Sequence, residues 1–273
     1  MKISILHAGY CVCPEHLAIQ GGRWRGIHFP AMFALLEHER LGPMLFDTGY
    51  SRRFFEETRS FPNSFYRRLT PVTLQENDLA VNQLGKRGIR PQDITRIFIS
   101  HFHADHIAAL ADFDRACFVF LPEAYDRLRG LRGWQAVARA FLPGLIPADF
   151  DTRASPLTPS LLRSLPPEYA PFETGYDILG DGSVMAVELP GHAAGQMGLF
   201  VRDQHQAYFF VADASWLGRG IENNIAPHRL ADLLFDDGKA YRATLSRLHA
   251  FHAAHGGVQI IPSHCQETLD RYL

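Results

Sequence analysis

A dense run of metal-binding side chains constrains this chain more than any other feature. Residues 94–100 are rich in β-branched types and predict a strand, and the next six residues, 101–106, read His-Phe-His-Ala-Asp-His. Side chains alternate along a strand, so the first two histidines lie on one side of its end. The aspartate and the last histidine turn back as the chain enters a helix. One short segment can therefore serve two adjacent metal ions, through His101, His103, Asp105 and His106.

Three more candidate ligands follow later, each directly after an apolar strand. His192 ends Leu-Pro-Gly-His, Asp213 ends Phe-Val-Ala-Asp, and His264 ends Ile-Ile-Pro-Ser-His. Functional groups are commonly held on loops that a rigid scaffold positions. Imidazole and carboxylate together suit Zn²⁺, with Mn²⁺ or Fe²⁺ as alternatives. A lone histidine is usually a core or surface residue, but five histidines and two aspartates in this pattern predict two metal ions.

Composition narrows the class of protein. The chain has 273 residues, 47% of them hydrophobic and 21% charged, as in an ordinary globular protein. A net charge of −2 weakens any case for nucleic-acid binding through phosphate neutralisation. No apolar run approaches the roughly 18 residues of a membrane span, and the N-terminal apolar stretch is too short for a signal peptide. We therefore expect a cytoplasmic protein, with no nucleic-acid or membrane partner.

The pattern of apolar residues predicts two groups of strands, each followed by helices. This arrangement indicates two sheets in one layered domain that spans residues 1–273. A capping box at Thr73–Glu76 predicts a helix that runs to about Gly88. The Pro-rich segment 143–171 predicts a long connection with at most one short helix, either an insertion or a lid. Strands are predicted at 2–8, 32–37, 43–48, 94–100, 116–121, 174–179, 183–189, 196–202, 206–212 and 258–262, and further helices at about 122–130, 132–142, 228–236 and 239–254.

The order of these residues resembles the metallo-β-lactamase superfamily. The resemblance rests on His-x-His-x-Asp-His at 101–106, then His192, Asp213 and His264, together with the turn Asp47-Thr48-Gly49 after an early strand. It spans nearly the whole chain. It implies an α/β (α+β) fold, a four-layer αββα sandwich of two mixed sheets flanked by helices, with the metals at one edge of both sheets.

The resemblance also implies a role for each ligand. His101, His103 and His192 would bind the first metal, and Asp105, His106 and His264 the second. Asp213 would bridge the two ions. Asp47 would orient a ligand imidazole without binding the metal itself.

Two cations that share a hydroxide provide a nucleophile at neutral pH, because metal binding lowers the pKa of water from 15.7 toward about 7. Asp105 would be the catalytic residue that orients this hydroxide or gives a proton to the leaving group. The chemistry is hydrolysis of an ester, lactone, thioester, amide or phosphodiester. The site alone does not choose between them.

Within the superfamily, the chain most resembles the N-acyl-homoserine lactone lactonases, the quorum-quenching enzymes. The supporting stretches are Phe46–Gly49, Ser100–His106, Leu189–Gln196 and Asp213–Ser215. Three residues after the bridging aspartate, those lactonases carry a tyrosine that contacts the substrate carbonyl, whereas this chain has Trp216. An indole offers only one N–H donor and a larger ring.

We therefore expect a dinuclear zinc hydrolase of a lactone or related carboxylic ester, with a homodimer left open. The alternatives are a metallo-hydrolase of a thioester or phosphodiester, or a mononuclear iron oxidoreductase on the same fold. Apolar aromatic residues should form the wall of a pocket for a small-molecule substrate. The candidate substrate-binding residues are Trp216, Trp24, Phe29 and Phe65.

Overall fold

The computed structural model describes residues 1–273 and contains thirteen strands and eleven α-helices. The strands are β1 (Lys2–Pro14), β2 (Gly26–His38), β3 (Gly42–Phe46), β4 (Val72–Thr73), β5 (Arg96–Phe98), β6 (Cys117–Phe120), β7 (Ala154–Pro156), β8 (Leu162–Ser164), β9 (Thr174–Asp177), β10 (Val184–Glu188), β11 (Met197–Arg202), β12 (Ala207–Ala212) and β13 (Val258–Pro262). The helices are α1 (Glu15–Ala18), α2 (Arg52–Glu57), α3 (Asn63–Leu69), α4 (Ala80–Gly85), α5 (Ala104–Ile107), α6 (Pro122–Asp126), α7 (Gly133–Val137), α8 (Phe150–Arg153), α9 (Gly218–Asn223), α10 (Gly238–Ala254) and α11 (Gln266–Leu269).

The strands form two mixed sheets. The first sheet has the order β4-β1-β2-β3-β5-β6-β7, and its β3, β5, β6 and β7 are parallel. The second has the order β13-β12-β11-β10-β9-β8 and is antiparallel except for the parallel pair β12 and β13. Because β10, β12 and β13 run in the same direction, the segments that follow them leave the second sheet at one edge, which is formed by the carboxyl ends of these strands.

A hydrophobic core lies between the two sheets. It includes Phe46 and Phe98 from the first sheet and Ala186, Leu199 and Phe210 from the second, all buried. The run Val-Met-Ala-Val of β10 is buried at every position, as expected for a strand covered on both faces.

Helices cover the outer face of each sheet. Leu248 and Phe251 of α10 pack with Phe200 and Phe209 of the second sheet. The outer face of the first sheet packs against Phe54 of α2 and other helical residues. The layers are thus helix, sheet, sheet and helix, which confirms the fold class expected from the sequence. None of the helices is both long enough and apolar enough to cross a bilayer.

The helix expected from Thr73 to Gly88 is much shorter than predicted. Thr73 belongs to β4 and pairs with Tyr10 of β1, so the apparent capping box at Thr73 does not start a helix. The box that forms lies at Gln75, whose backbone N–H donates to the carboxylate of Asp78. The α-helix itself occupies only Ala80–Gly85, because pairing with the sheet edge takes the residues before it.

The Pro-rich segment 143–171 contains more regular structure than the sequence indicates. It includes one short α-helix, as expected, but it also contributes β7 to the edge of the first sheet and β8 to the edge of the second. Three 3₁₀ turns, each with proline near its start, connect these pieces. The segment therefore passes from one sheet to the other, and a function as a lid stays a prediction.

Several other boundaries differ from the expectation. The strands β1 and β2 are each 13 residues long and pair almost throughout, with a bulge between His7 and Tyr10. Helices α2 and α3 occupy a segment in which the sequence pattern predicts no helix, because its apolar residues lack a helical period. The helix expected at 228–236 is a 3₁₀ segment, Arg229–Leu234, whereas the helix expected at 239–254 is confirmed as α10.

Glu15 ties the connection between β1 and β2 to helix α9. Its side chain is only 2% exposed, and Arg25 Nε donates to Glu15 Oε2 over 2.8 Å. Arg219 of α9 donates to the other carboxylate oxygen. Hydrogen bonds from Arg25 and then Arg219 lower the pKa of Glu15 to about 2. The connection is thereby fixed to helix α9.

Replacing this carboxylate, Glu15→Gln, is expected to destabilise the fold at neutral pH by about 1.5–3 kcal/mol. The amide oxygen can still accept from one arginine, but the amide NH2 group faces the other, so one charge-assisted hydrogen bond is lost. The pKa of Glu15 is lower in the folded state than the value of about 4.3 in the unfolded chain. The stabilisation is therefore present above about pH 4.3 and is lost as the pH falls toward 2. Urea unfolding at about pH 7 and about pH 3 measures this difference. Glu168→Gln, at an exposed glutamate, is the matched control, and an equal loss at both pH values for Glu15→Gln would contradict the account.

Candidate metal centre

The run at 101–106 has the local structure that its sequence predicts. Strand β5 ends at Phe98, and α5 begins at Ala104, so the histidines and the aspartate lie where a strand passes into a helix. His101, Asp105 and His106 are buried, and His103 is partly buried. The segment thus directs four polar side chains into the edge of the first sheet.

All seven predicted ligands come together at this edge in two adjacent groups. In each group, one ligand atom from every residue lies within 4.8 Å of the others. The sequence-distant members arrive from the ends of β10, β12 and β13, as their positions after apolar strands indicate. The first group is His101, His103, His192 and Asp213, and the second is Asp105, His106 and His264.

Two imidazoles of the second group are oriented by acceptors outside the cluster. Nδ1–H of His106 donates to Oδ2 of Asp47 over 2.7 Å. Nδ1–H of His264 donates to the backbone carbonyl of Pro30 over 2.9 Å. Each bond fixes the tautomer and leaves Nε2 directed inward, which is how a metal-binding histidine is commonly held.

Asp47 connects this network to the first group. It has a positive φ of 59°, a conformation that aspartate tolerates better than most residues, and its carboxylate is fully buried. The backbone N–H and the hydroxyl of Ser100 both donate to this carboxylate, each over 2.8 Å. The Ser100 oxygen therefore accepts from Nδ1–H of His101, 3.0 Å away. The resemblance predicts the contact of Asp47 with a ligand imidazole, but it does not predict that Ser100 links Asp47 to His101.

Several nitrogen and oxygen atoms of the cluster that could bind a metal have no hydrogen-bond partner in the protein. Nε2 of His101, Nε2 of His106 and Oδ1 of Asp213 are buried and unpaired. Nδ1 of His103 and Nε2 of His192 face each other at 2.9 Å. Buried polar atoms are rarely left without partners. Inward-facing imidazole nitrogens and carboxylate oxygens are the donor set that Zn²⁺ and similar divalent ions take, so these residues fit a metal centre.

Asp213 lies between the two groups. Its Oδ2 is 3.1 Å from Nε2 of His192 and 3.1 Å from Nε2 of His264. Its Oδ1 is 3.3 Å from Nε2 of His106. Asp105 approaches only the second group, with Oδ2 3.4 Å from Nε2 of His264, and its side chain is 12% exposed. Asp213 is therefore the carboxylate that faces both groups, and Asp105 is the more accessible one.

A close backbone approach requires the glycine before His192. Gly191 has φ +131°, and a Cβ at this position would lie 2.2 Å from the backbone nitrogen of Tyr241 in α10. The backbone N–H of Asp237 donates to the carbonyl of Gly191, and that of Asp236 donates to the carbonyl of His192. Only glycine lets the loop press against α10 here, and this contact positions the His192 ring.

The electrostatics differ between the two groups. Burial lowers the pKa of His101 and of His103 well below the ordinary value, so both rings are neutral. Burial would lower the pKa of His106 and of His264, but the neighbouring carboxylates, led by Asp47 at His106 and by Asp213 at His264, raise both. Burial alone would raise the pKa of Asp213, but the facing imidazoles, led by His264, hold this pKa well below its usual range. Neutral imidazole and ionised carboxylate are the forms that coordinate a cation.

Aromatic rings form a wall beside the two groups. Phe29 stacks on His264 with ring centroids 5.2 Å apart, and Trp216 meets His192 edge-on at 5.8 Å. Phe235, which the sequence does not single out, lies against both His192 and Trp216. A cavity of about 110 Å³ borders the first group, and its lining includes His103, His192, Leu128, Arg139 and Leu234.

Two of the predicted pocket residues, Trp24 and Phe65, pack against other rings, and their part in substrate binding stays a prediction. Trp24 is 87% exposed, and its ring partner is His16. Phe65 is 41% exposed and packs against Trp134, which also contacts Phe61. Their aromatic character alone does not distinguish them from Phe29, because the difference depends on how the connections fold over the sheet edge.

The buried imidazoles and carboxylates at the shared edge of the two sheets fit the metal centre of a metal-dependent enzyme. The chain belongs to the metallo-β-lactamase superfamily, whose family profile matches residues 33–254. This confirms the resemblance from which the fold and the enzyme class were predicted.

Relatives with described activities support the same class. The chain is 27% identical over 209 residues to an N-acyl homoserine lactonase, AttM, of Azorhizobium caulinodans, covering 74% of this chain and 71% of the relative. It is 24% identical over 227 residues to the N-acyl homoserine lactonase AiiA of Bacillus thuringiensis subsp. kurstaki, covering 82% and 80%. A solved N-acyl homoserine lactone hydrolase, with N-hexanoyl-L-homoserine at its catalytic metal centre, has a TM-score of 0.73 at 21% identity, covering 99% of this chain and 95% of that one. At this identity the structural likeness concerns the fold alone.

Proposed function

We propose that this protein is a dinuclear metal-dependent hydrolase of a lactone or a related carboxylic ester, with N-acyl-homoserine lactones as the first candidates. The observation that carries the proposal is the pair of adjacent ligand groups, with Asp213 close to histidines of both. The names of the relatives AttM and AiiA support the choice of a lactone. Zinc as the metal, a role in quorum quenching, a cytoplasmic location and a homodimer stay predictions from the sequence.

Each ligand group would hold one divalent ion. His101, His103 and His192 would bind the first ion, and Asp105, His106 and His264 the second, with Asp213 in contact with both. When bound, the two ions lower the pKa of water into the neutral range and stabilise negative charge on the carbonyl oxygen. Asp47, Ser100 and the Pro30 carbonyl hold the ligand rings in the orientation that this binding needs.

The residues of the protein position the substrate and manage its protons. Hydrolysis forms a bond from the water oxygen to the carbonyl carbon and breaks the bond to the ring oxygen. Asp105 is the more accessible carboxylate, so it is the group that we propose to receive the proton of the attacking water and pass it to the leaving alkoxide. The product carboxylic acid then releases one proton to solvent. Phe29, Trp216 and Phe235 keep water from one side of the site.

Proton release in weak buffer tests this function. Zinc-loaded protein is mixed with acyl-homoserine lactones of several chain lengths, simple γ-lactones, an aryl ester, a thioester and a phosphodiester. We expect acidification with lactones, and its loss in His101→Ala, because that change removes a proposed ligand. His205→Ala, at an exposed histidine, is the matched control. If protein that holds two ions causes no acidification with any lactone or ester, the proposal is contradicted. Turnover of the thioester or the phosphodiester alone would identify the alternative.

A further inference from the structure

The indole of Trp216 contacts the carboxylate that the two ligand groups share. Trp216 Nε1–H donates to Oδ2 of Asp213 over 3.2 Å. An indole has one donor and no acceptor, so this bond uses all of its hydrogen-bonding capacity. The N–H of Trp216 is therefore occupied within the protein and is not free for a substrate carbonyl.

The bond distinguishes the two oxygens of Asp213. Oδ2 has the indole N–H and Nε2 of both His192 and His264 around it. Oδ1 faces Nε2 of His106 and has no hydrogen-bond partner. A partial turn of the carboxylate about its Cβ–Cγ bond would move Oδ2 away from the indole and break this hydrogen bond. The indole thus favours one orientation of a group that could otherwise turn.

Packing prevents the indole from moving away. Trp216 is 7% exposed, and its ring lies 5.8 Å from Phe29 and 5.4 Å from Phe235, edge-on to both. Phe29 is itself stacked on His264, and Phe235 is stacked on Tyr241 at 4.2 Å. The turn before the ring is fixed because the hydroxyl of Ser215 donates to the carbonyl of Leu217. The donor is therefore held in place by residues that also touch the ligand rings.

We propose that Trp216 is a positioning residue, which fixes the orientation of the Asp213 carboxylate between the two ligand groups and thereby sets their affinity for metal. This inference rests on the proposed metal site but not on which ester is cleaved. It limits direct contact between Trp216 and a substrate to the face and edge of the ring.

The substitution Trp216→Phe keeps an aromatic ring and removes the N–H. We expect Zn²⁺ to bind about 10–100-fold more weakly, the range found when a hydrogen-bond partner of a metal ligand is removed. Competition with a chromophoric chelator measures the affinity, and the visible spectrum of the cobalt-loaded protein reports any change in the ligand field. Trp134→Phe makes the same substitution at a half-exposed tryptophan outside the cluster, and the affinity should not change there.

Phe235→Leu separates packing from hydrogen bonding, because it alters the same aromatic wall without removing a donor to Asp213. Equal losses of affinity in Phe235→Leu and Trp216→Phe, or a wild-type affinity and cobalt spectrum in Trp216→Phe, would overturn the inference. If Trp216→Phe does not fold, benzothienylalanine at position 216 retains the shape of the indole without its donor, and the same loss is expected. Absence of metal binding by the wild-type protein would instead reject the proposed function itself.

Discussion

In the proposed dinuclear site, Asp213→Asn should cost most of the turnover and at least one of the two bound metal ions. The substitution conserves volume but replaces the ionised carboxylate by a neutral amide. Asp213 Oδ2 lies 3.1 Å from both His192 and His264, so both ligand groups lose their shared negative charge. We expect turnover to fall on the order of 10³-fold, or about 4 kcal/mol of transition-state stabilisation, because metal catalysis contributes several kcal/mol.

Metal content by elemental analysis and initial rates on the best substrate of the panel measure this loss. Asp151→Asn is the matched control, since Asp151 is exposed, belongs to neither ligand group and pairs with the exposed Arg129. Thermal unfolding of both variants without metal checks that the fold persists. Two bound ions together with turnover within about threefold of wild type in Asp213→Asn would contradict the assignment of Asp213.

The candidate ligand set is predictable from the sequence for a physical reason. Metal ligands must be particular residue types, and a strand that ends in a turn holds them at short, regular spacing. His101 to His106 show both properties, and His192, Asp213 and His264 each follow an apolar strand. The structure brings all seven side chains together.

The surroundings of the ligands are harder to predict. The acceptor for His264 is the backbone carbonyl of Pro30, and a backbone atom leaves no signal in residue type. Phe29 and Trp24 look equivalent in sequence, yet Phe29 stacks on His264 while Trp24 is exposed beside His16. Such contacts depend on how long connections fold over the sheet edge, and local patterns do not encode that.

The secondary structure also contains elements that local patterns predict and elements that depend on contacts distant in sequence. The long helix α10 and the strands with buried apolar runs are confirmed, because their periodicity is strong. The predicted helix start at Thr73 is wrong because that residue pairs with Tyr10 of β1, a contact more than 60 residues away in sequence. The edge strands β7 and β8 are three residues each, too short to give a pattern within a Pro-rich segment.

Removal of metal should abolish hydrolysis while leaving the protein folded. The ligand groups lie at the edge of two sheets that have their own hydrophobic cores, so folding does not depend on the ions alone. We expect a loss of turnover of at least about 10³-fold after chelation, since the unassisted water has a pKa near 15.7. Circular dichroism of the stripped protein should remain close to that of the loaded protein.

Stepwise return of Zn²⁺ to the stripped protein, with turnover of the best lactone or ester followed after each addition, tests the central claim most directly. Two ligand groups that share Asp213 predict that turnover rises until two ions are bound per chain and then stays constant. Full turnover with one ion per chain, or undiminished turnover in the stripped protein, would contradict a dinuclear metal-dependent hydrolase.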